Sequence, residues 1–502
     1  MRLVIAATAA LCAAFAITLH TSRGAHAQAA DAGSASHAAD ATNLAERYHE
    51  AAARLIGEAQ LSPDAYDKLA FLCDRIGHRL SGSPRLDRAI EWAAGAMRAD
   101  GLANVHTEKV MVPAWVRGAE RATVLEPAEH ELSMLGIGMS VGTPRGGITA
   151  DVVVVDSFPH LDSLGEAGVR GKIVLFDVPY AGYGNTVPYR TRGASRAAKY
   201  GAAAVLVRSV GPISFDTPHT GTLMYAEDQP KIPAACITIE NATMMRRMSD
   251  RGERMRVRLE MGAHQLEDAP SANVIGEVVG RELPDEIVVV SGHLDSWDVG
   301  QGAQDDGVGC ILAMEAAHLI QRLGLAPRRT IRVVLFTNEE NGARGGNAYR
   351  DTYQGVAHNH VAAIESDSGN GPVQGFSLDL RAIETGDSAS DARAEADVAA
   401  ARVRGVAILR ELAPLFEPLG ATGMVPGGSG VDVEPMVKEG VAGIGVRHDT
   451  SRYFDVHHTH ADTFEKIDRA DLNRNVAAMA VLAYVLADMP ERLAPPRVIG
   501  TH

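Results

Sequence analysis

"IVVVSGHLDSWDVGQGAQDDGVGCILAMEAAHLIQRLG", residues 287–324, reads as strand, loop and helix in one pass. Ile287 to Ser291 opens with β-branched apolar residues, as a short buried strand does. Val308, Ile311, Leu312, Ala316, Leu319 and Leu323 recur at the spacing of one helix face. The loop between them holds one histidine, His293, and four aspartates, Asp295, Asp298, Asp305 and Asp306.

The same pattern continues along the chain. Strand-like runs begin at 330 ("TIRVVLF"), 361 ("VAAIES") and 441 ("VAGIGV"), and a helix is expected over 469–488, opened by the capping pattern "DRAD". Helices are also expected from about Thr42 and over 84–101, the latter closing on Gly101. Strands alternating with helices predict an α/β sheet covered by helices. From about Gly118 to His264 the texture changes to short β-rich runs interrupted by one helix, "RGASRAAKYGA", and this part contains no cluster of potential ligands.

The 502 residues, 46% hydrophobic, exceed one typical domain and suit a globular protein of two. A net charge of −15 argues against a nucleic-acid partner. Residues 1–27 read as a signal peptide cut after Ala27, followed by a flexible leader at 28–41, so the mature protein is expected outside the cytoplasm, periplasmic or secreted. Leu11 stands where a lipoprotein site before Cys12 would need a small residue, and no other segment is long and apolar enough to span a membrane. Cys73, Cys236 and Cys310 are widely spaced and lack a CxxC pattern, which points to buried free thiols rather than a thiolate metal site.

In open α/β sheets, functional groups gather at the carboxyl ends of the strands. Here every predicted strand of the sheet ends in a ligand-type residue: His293 and Asp295, then Glu339 and Glu340, then Glu365 and Asp367, and finally "HHTHAD" after the strand at 441. Carboxylates gathered in one crevice repel each other unless a cation neutralises them. Imidazole and carboxylate without thiolate select zinc, with manganese or cobalt as possible substitutes, and the number of ligands suits two metals sharing a carboxylate. In the pair Glu339-Glu340, one carboxylate can bind metal while the other takes a proton from water and passes it to a leaving amine, the division of labour of a hydrolase.

"GHRLSGSP" (77–84), "GHLDSWDVGQGAQDDGVG" (292–309), "LFTNEENGARGG" (335–346), "ESDSG" (365–369) and "HHTHADT" (457–463) match, in order and spacing, the motifs of the co-catalytic zinc aminopeptidase family. The chain resembles the carboxypeptidase Q-like subgroup of that family, also described as plasma glutamate carboxypeptidase-like. The resemblance implies a three-layer sandwich with a central mixed, mostly parallel sheet. It divides the chain into a catalytic domain of 42–117 with 265–502 and an inserted β-rich protease-associated domain at 118–264. It further implies that His293, Asp305 and Asp367 hold one zinc and that Asp305 bridges to a second zinc held by Glu340 and His458. Glu339 then serves as general base, and Asp295 accepts the other ring N–H of His293.

His457, His458 and His460 compete for one ligand position, for which the resemblance favours His458. His460 and Gly428, the latter in "PGGSG", are candidate substrate contacts. Asp306 reads as a helix cap and Asp298 as a solvated loop residue. The expected function is hydrolysis of short peptides or dipeptides by an exported two-zinc exopeptidase, with a homodimer possible. The alternatives are a non-catalytic binding protein on the same fold and a glutaminyl cyclase-like acyltransferase working with one zinc.

Overall fold

The computed structural model describes residues 43–383 and 388–495. The expected signal peptide and leader lie outside them. Among the described residues, no helix is long and apolar enough to cross a membrane.

The main sheet has eight strands in the order Ala103–Val112, Ala269–Val278, Arg329–Phe336, Leu283–His293, His360–Glu365, Gly443–His448, Val373–Asp379 and Gly423–Pro426. The four strands from Arg329–Phe336 to Gly443–His448 run parallel, and antiparallel pairings flank them, so the sheet is mixed as expected. Leu283–His293 sits among these parallel strands because its apolar run serves both faces. Val288 and Val290 enter the core beneath helices Leu44–Leu61, Val308–Arg322 and Arg469–Asp488. Ile287 and Val289 face Phe336, Tyr349 and Met436, on the side of helices Arg344–Tyr353 and Glu434–Lys438. Helices on both faces of one sheet make three layers.

A second eight-stranded sheet is built between Glu120 and Met261. It is α/β in character, with three helices rather than the one expected. Ile148–Val155, Ile173–Phe176, Ala204–Arg208 and Ala234–Ile237 pair in parallel, and parallel neighbours require crossovers. Helices Phe158–Val169 and Tyr183–Ala198 supply two of them, and Ile239–Asp250 adds a third helix. Sequence reading found only the second, because Pro159, Gly165 and Gly168 interrupt the first. The three described cysteines are buried and free, as expected.

Candidate metal centre

His293, Glu340 and Asp367 stand at or just beyond a strand's carboxyl end, and Asp305 and His458 are carried by the longer loops that follow two strands. His293 closes Leu283–His293, its side chain fully buried with Nε2 3.2 Å from Asp305 Oδ1 and 3.6 Å from Asp367 Oδ1. Asp305 lies in the turn before helix Val308–Arg322, and its Oδ2 is 3.1 Å from His458 Nε2. That nitrogen is 3.0 Å from Glu340 Oε2. The structure therefore brings His293, Asp305, Glu340, Asp367 and His458 together, with Asp305 between the two imidazoles.

Four buried atoms in this group have no hydrogen-bond partner: His293 Nε2, Asp305 Oδ2, Glu340 Oε1 and Asp367 Oδ1. Buried polar atoms are seldom left so, and four converging ones define a place for a cation. Asp305, Glu340 and His458 also border a void of about 10 Å³. The charge balance agrees. Burial opposes protonation of His293, yet Asp305 and Asp367 hold its pKa well above the usual range. His458 is raised in the same way, against burial, by Glu340, Tyr183 and Asp305. The carboxylates favour positive charge on His293 and His458, as a crevice that holds a cation does. The donor set is neutral nitrogen and carboxylate oxygen, which fits zinc.

The neighbouring aspartates divide their roles. Asp306 Oδ1 accepts from Gly309 N–H at 2.9 Å and its Oδ2 from His293 N–H at 3.1 Å, so it caps the helix and ties it to the strand end. Glycines allow that approach, since a Cβ on Gly309 would fall 1.9 Å from the Ser366 carbonyl oxygen. Asp462 holds the Asp305 turn from the other side, accepting from Gln304 N–H at 2.7 Å and Asp305 N–H at 3.2 Å.

Asp295 departs from expectation. His293 Nδ1 lies 3.0 Å from the main-chain carbonyl of Asp295 and 3.8 Å from its carboxylate. The carbonyl is thus the acceptor that sets the His293 tautomer. The carboxylate instead receives the N–H groups of Glu339 and Glu340, at 3.1 and 3.3 Å, and the Ser81 hydroxyl at 3.1 Å. It orients the turn that carries both glutamates. Glu339 is half-buried, and burial together with Asp367, Glu340 and Asp305 raises its pKa well above the carboxylate range, with His293 opposing.

"GHRLSGSP" supports this geometry from below. Arg79 is fully buried and donates to the carbonyls of Leu294 (2.7 Å), Gln301 (2.7 Å), Gly302 (2.9 Å) and Gly77 (3.0 Å), gripping both ends of the aspartate-rich loop.

Gly428 lines a cavity of about 720 Å³ that also takes in Glu365 and Asp367. His460 is exposed, and its neighbouring charges are Arg117 and Asp298 rather than the ligands. Asp298 is not a solvated loop residue, because Arg117 Nε donates to its Oδ2 at 2.8 Å.

His457, one of the three histidines that competed for the ligand position, stacks on His458 with ring centroids 3.6 Å apart, and its Nε2 is 3.4 Å from Asp305 Oδ2. Sequence reasoning missed other neighbours. Asp432 is fully buried with both carboxylate oxygens unpaired, and burial together with Glu365 and Glu339 raises its pKa. His219 and Arg190, from the part of the chain read as free of site chemistry, reach the histidine loop. Their distance from it in sequence left no local signal.

Residues 273–483 match peptidase family M28. The chain is 43% identical over 429 residues to carboxypeptidase Q of Mus musculus, covering 86% of this chain and 87% of that protein. A crystal structure of a peptidase M28 precursor from Shewanella amazonensis SB2B is 34% identical, with a TM-score of 0.82 over 90% of this chain and 99% of that one. At the level of fold alone, a zinc aminopeptidase from Bacillus subtilis, 18% identical, superposes with a TM-score of 0.60 over 86% of this chain and 97% of its own.

Proposed function

The chain belongs to peptidase family M28, and from that premise we propose that it is a two-zinc exopeptidase acting on short peptides or dipeptides outside the cytoplasm. The observation that carries the reading is the convergence of four unpartnered donor atoms, on His293, Asp305, Glu340 and Asp367, beside His458. Asp305 reaches towards both imidazoles, which supports its assignment as the shared ligand. When bound, zinc supplies Lewis acidity to the scissile carbonyl and makes a water acidic enough to attack it.

The protein's own groups do the rest. Glu339 follows the strand that delivers Glu340, the Asp295 carboxylate holds its main chain, and His293 and Asp367 are among the charges that act on its carboxyl. Its carboxylate takes the proton from the attacking water and passes it to the nitrogen of the departing amine. The cavity beside Asp367, bordered by Gly428, receives part of the substrate.

The test is zinc content per chain, measured with hydrolysis of dipeptides, blocked dipeptides and aminoacyl chromogens before and after chelation. About two zincs and chelator-sensitive cleavage are expected. The panel separates a dipeptidase from an aminopeptidase, and light scattering on the same preparation reads whether two copies associate. Metal-free protein that cleaves nothing after zinc is restored would overturn the proposal.

A further inference from the structure

The loop joining strands Ala204–Arg208 and Ala234–Ile237 of the second sheet meets the metal centre at His458. Thr220 N–H donates to the His458 carbonyl at 2.9 Å, and His219 pairs with Thr459 in an isolated antiparallel bridge. His458 has a left-handed backbone, φ 58°, and this pairing holds it there.

Its ring is held from the same side. Nε2 faces Asp305 and Glu340, so a ligating His458 carries its proton on Nδ1. That nitrogen lies 3.3 Å from the Thr220 carbonyl and 3.3 Å from Arg190 Nη1. A guanidinium accepts no hydrogen bond, so the carbonyl is the acceptor and Arg190 packs against the ring.

Arg190 is held in turn. It is 3% exposed, and Nη1 lies 2.7 Å from His219 Nε2, 3.0 Å from the Tyr183 hydroxyl and 3.1 Å from the Thr220 carbonyl. His219 Nδ1 lies 3.2 Å from the His457 carbonyl, to which it donates, which leaves Nε2 to accept from Arg190. Both ring nitrogens of His219 are thereby used, so the His219, His457 and His458 cluster is a support and not a third metal site. Gly221, at φ 130°, makes the approach possible, since a Cβ there would lie 2.1 Å from Arg190 Nη1 and 2.7 Å from His458 Nδ1.

We infer that Arg190, His219 and Thr220 are positioning residues of the metal centre, a brace from the inserted segment that fixes the His458 ring and tautomer for the second zinc. The inference rests on the two-zinc reading above. Removing the outer partner of a metal-ligating histidine weakens metal binding by about 10- to 100-fold.

Zinc titration against a competing chelator is the test, on wild type, Arg190→Gln, Arg190→Lys and His219→Gln, with Arg258→Gln as an exposed control in the same segment. Arg190→Gln, which frees the Thr220 carbonyl that accepts from the His458 ring, is expected to weaken one zinc by about 10-fold and leave the other unchanged, with activity returning at saturating zinc. Arg190→Lys should fall between, and the cobalt-substituted variant should show an altered visible spectrum. Wild-type affinity at both sites in Arg190→Gln and His219→Gln would overturn the inference. If Arg190→Gln fails to fold even with zinc, His219→Gln decides by the same reading. Wild type holding fewer than two zincs defeats the two-zinc reading instead.

Discussion

Asp305 and Asp306 are adjacent and chemically identical, yet one faces two imidazoles while the other accepts two main-chain N–H groups. Position before the helix already marked Asp306 as a cap, and the local turn shows how the two side chains part. The pair Glu339-Glu340 divides in the same way. Glu340 lies against His458, whereas Glu339 has no assigned ligand role and stands beside His293 and Asp367. Glu339→Gln keeps the shape and removes the proton acceptor. The expected result is a fall in kcat of about 100-fold or more with zinc content unchanged, read by metal analysis and steady-state kinetics on one preparation. Retained turnover would remove Glu339 from the proton path. Asp295 shows the limit of motif reading at this scale: the motif placed it beside His293, but not that its carbonyl rather than its carboxylate meets the ring.

Strands and their following loops were the most legible elements, because burial on both faces leaves a continuous apolar run and ligands stand directly after it. Less legible were strands such as Ala103–Val112, an edge strand whose burial is broken by exposed positions. The role of "GHRLSGSP" was also hidden, since its chemistry is a set of hydrogen bonds to main-chain carbonyls. Arg79 joins that turn to three carbonyls more than 200 residues away in sequence. Lysine cannot reproduce the planar fork. Arg79→Lys is therefore expected to cost about 3 kcal/mol and to lower zinc occupancy, read by thermal unfolding with and without chelator. An unchanged melting temperature would show that the loop does not depend on this grip.

At the scale of the whole molecule, buried neutral histidines away from the ligand set tie stability to pH. Burial and Arg332 lower the pKa of His360 to about 3, and burial lowers that of His448 to about 4. Unfolded, both rings titrate near about 6.5. Below that pH the unfolded chain takes up protons that the folded one refuses. Their contribution is thus complete above pH 6.5 and is lost as pH falls through 6.5 towards the folded values. Urea unfolding of wild type and His360→Gln, compared from pH 7.5 to 4.5, should show the variant losing less stability with acid than wild type, since the groups of the metal centre act equally in both; parallel profiles would contradict the assignment.

The sequence by itself determined the α/β class of the main sheet, the strands that carry the site and the types of ligand, because each depends on a pattern within a few dozen consecutive residues. Only the tertiary structure decided which imidazole meets Asp305, what holds the aspartate-rich loop and that Arg190, His219 and Thr220 reach the histidine loop. Arg190 and His458 stand 268 positions apart, and their 3.3 Å approach exists only once two sheets have packed and Gly221 has left room between them. Contacts of that kind leave no periodic or local trace, since they depend on how distant segments close in space.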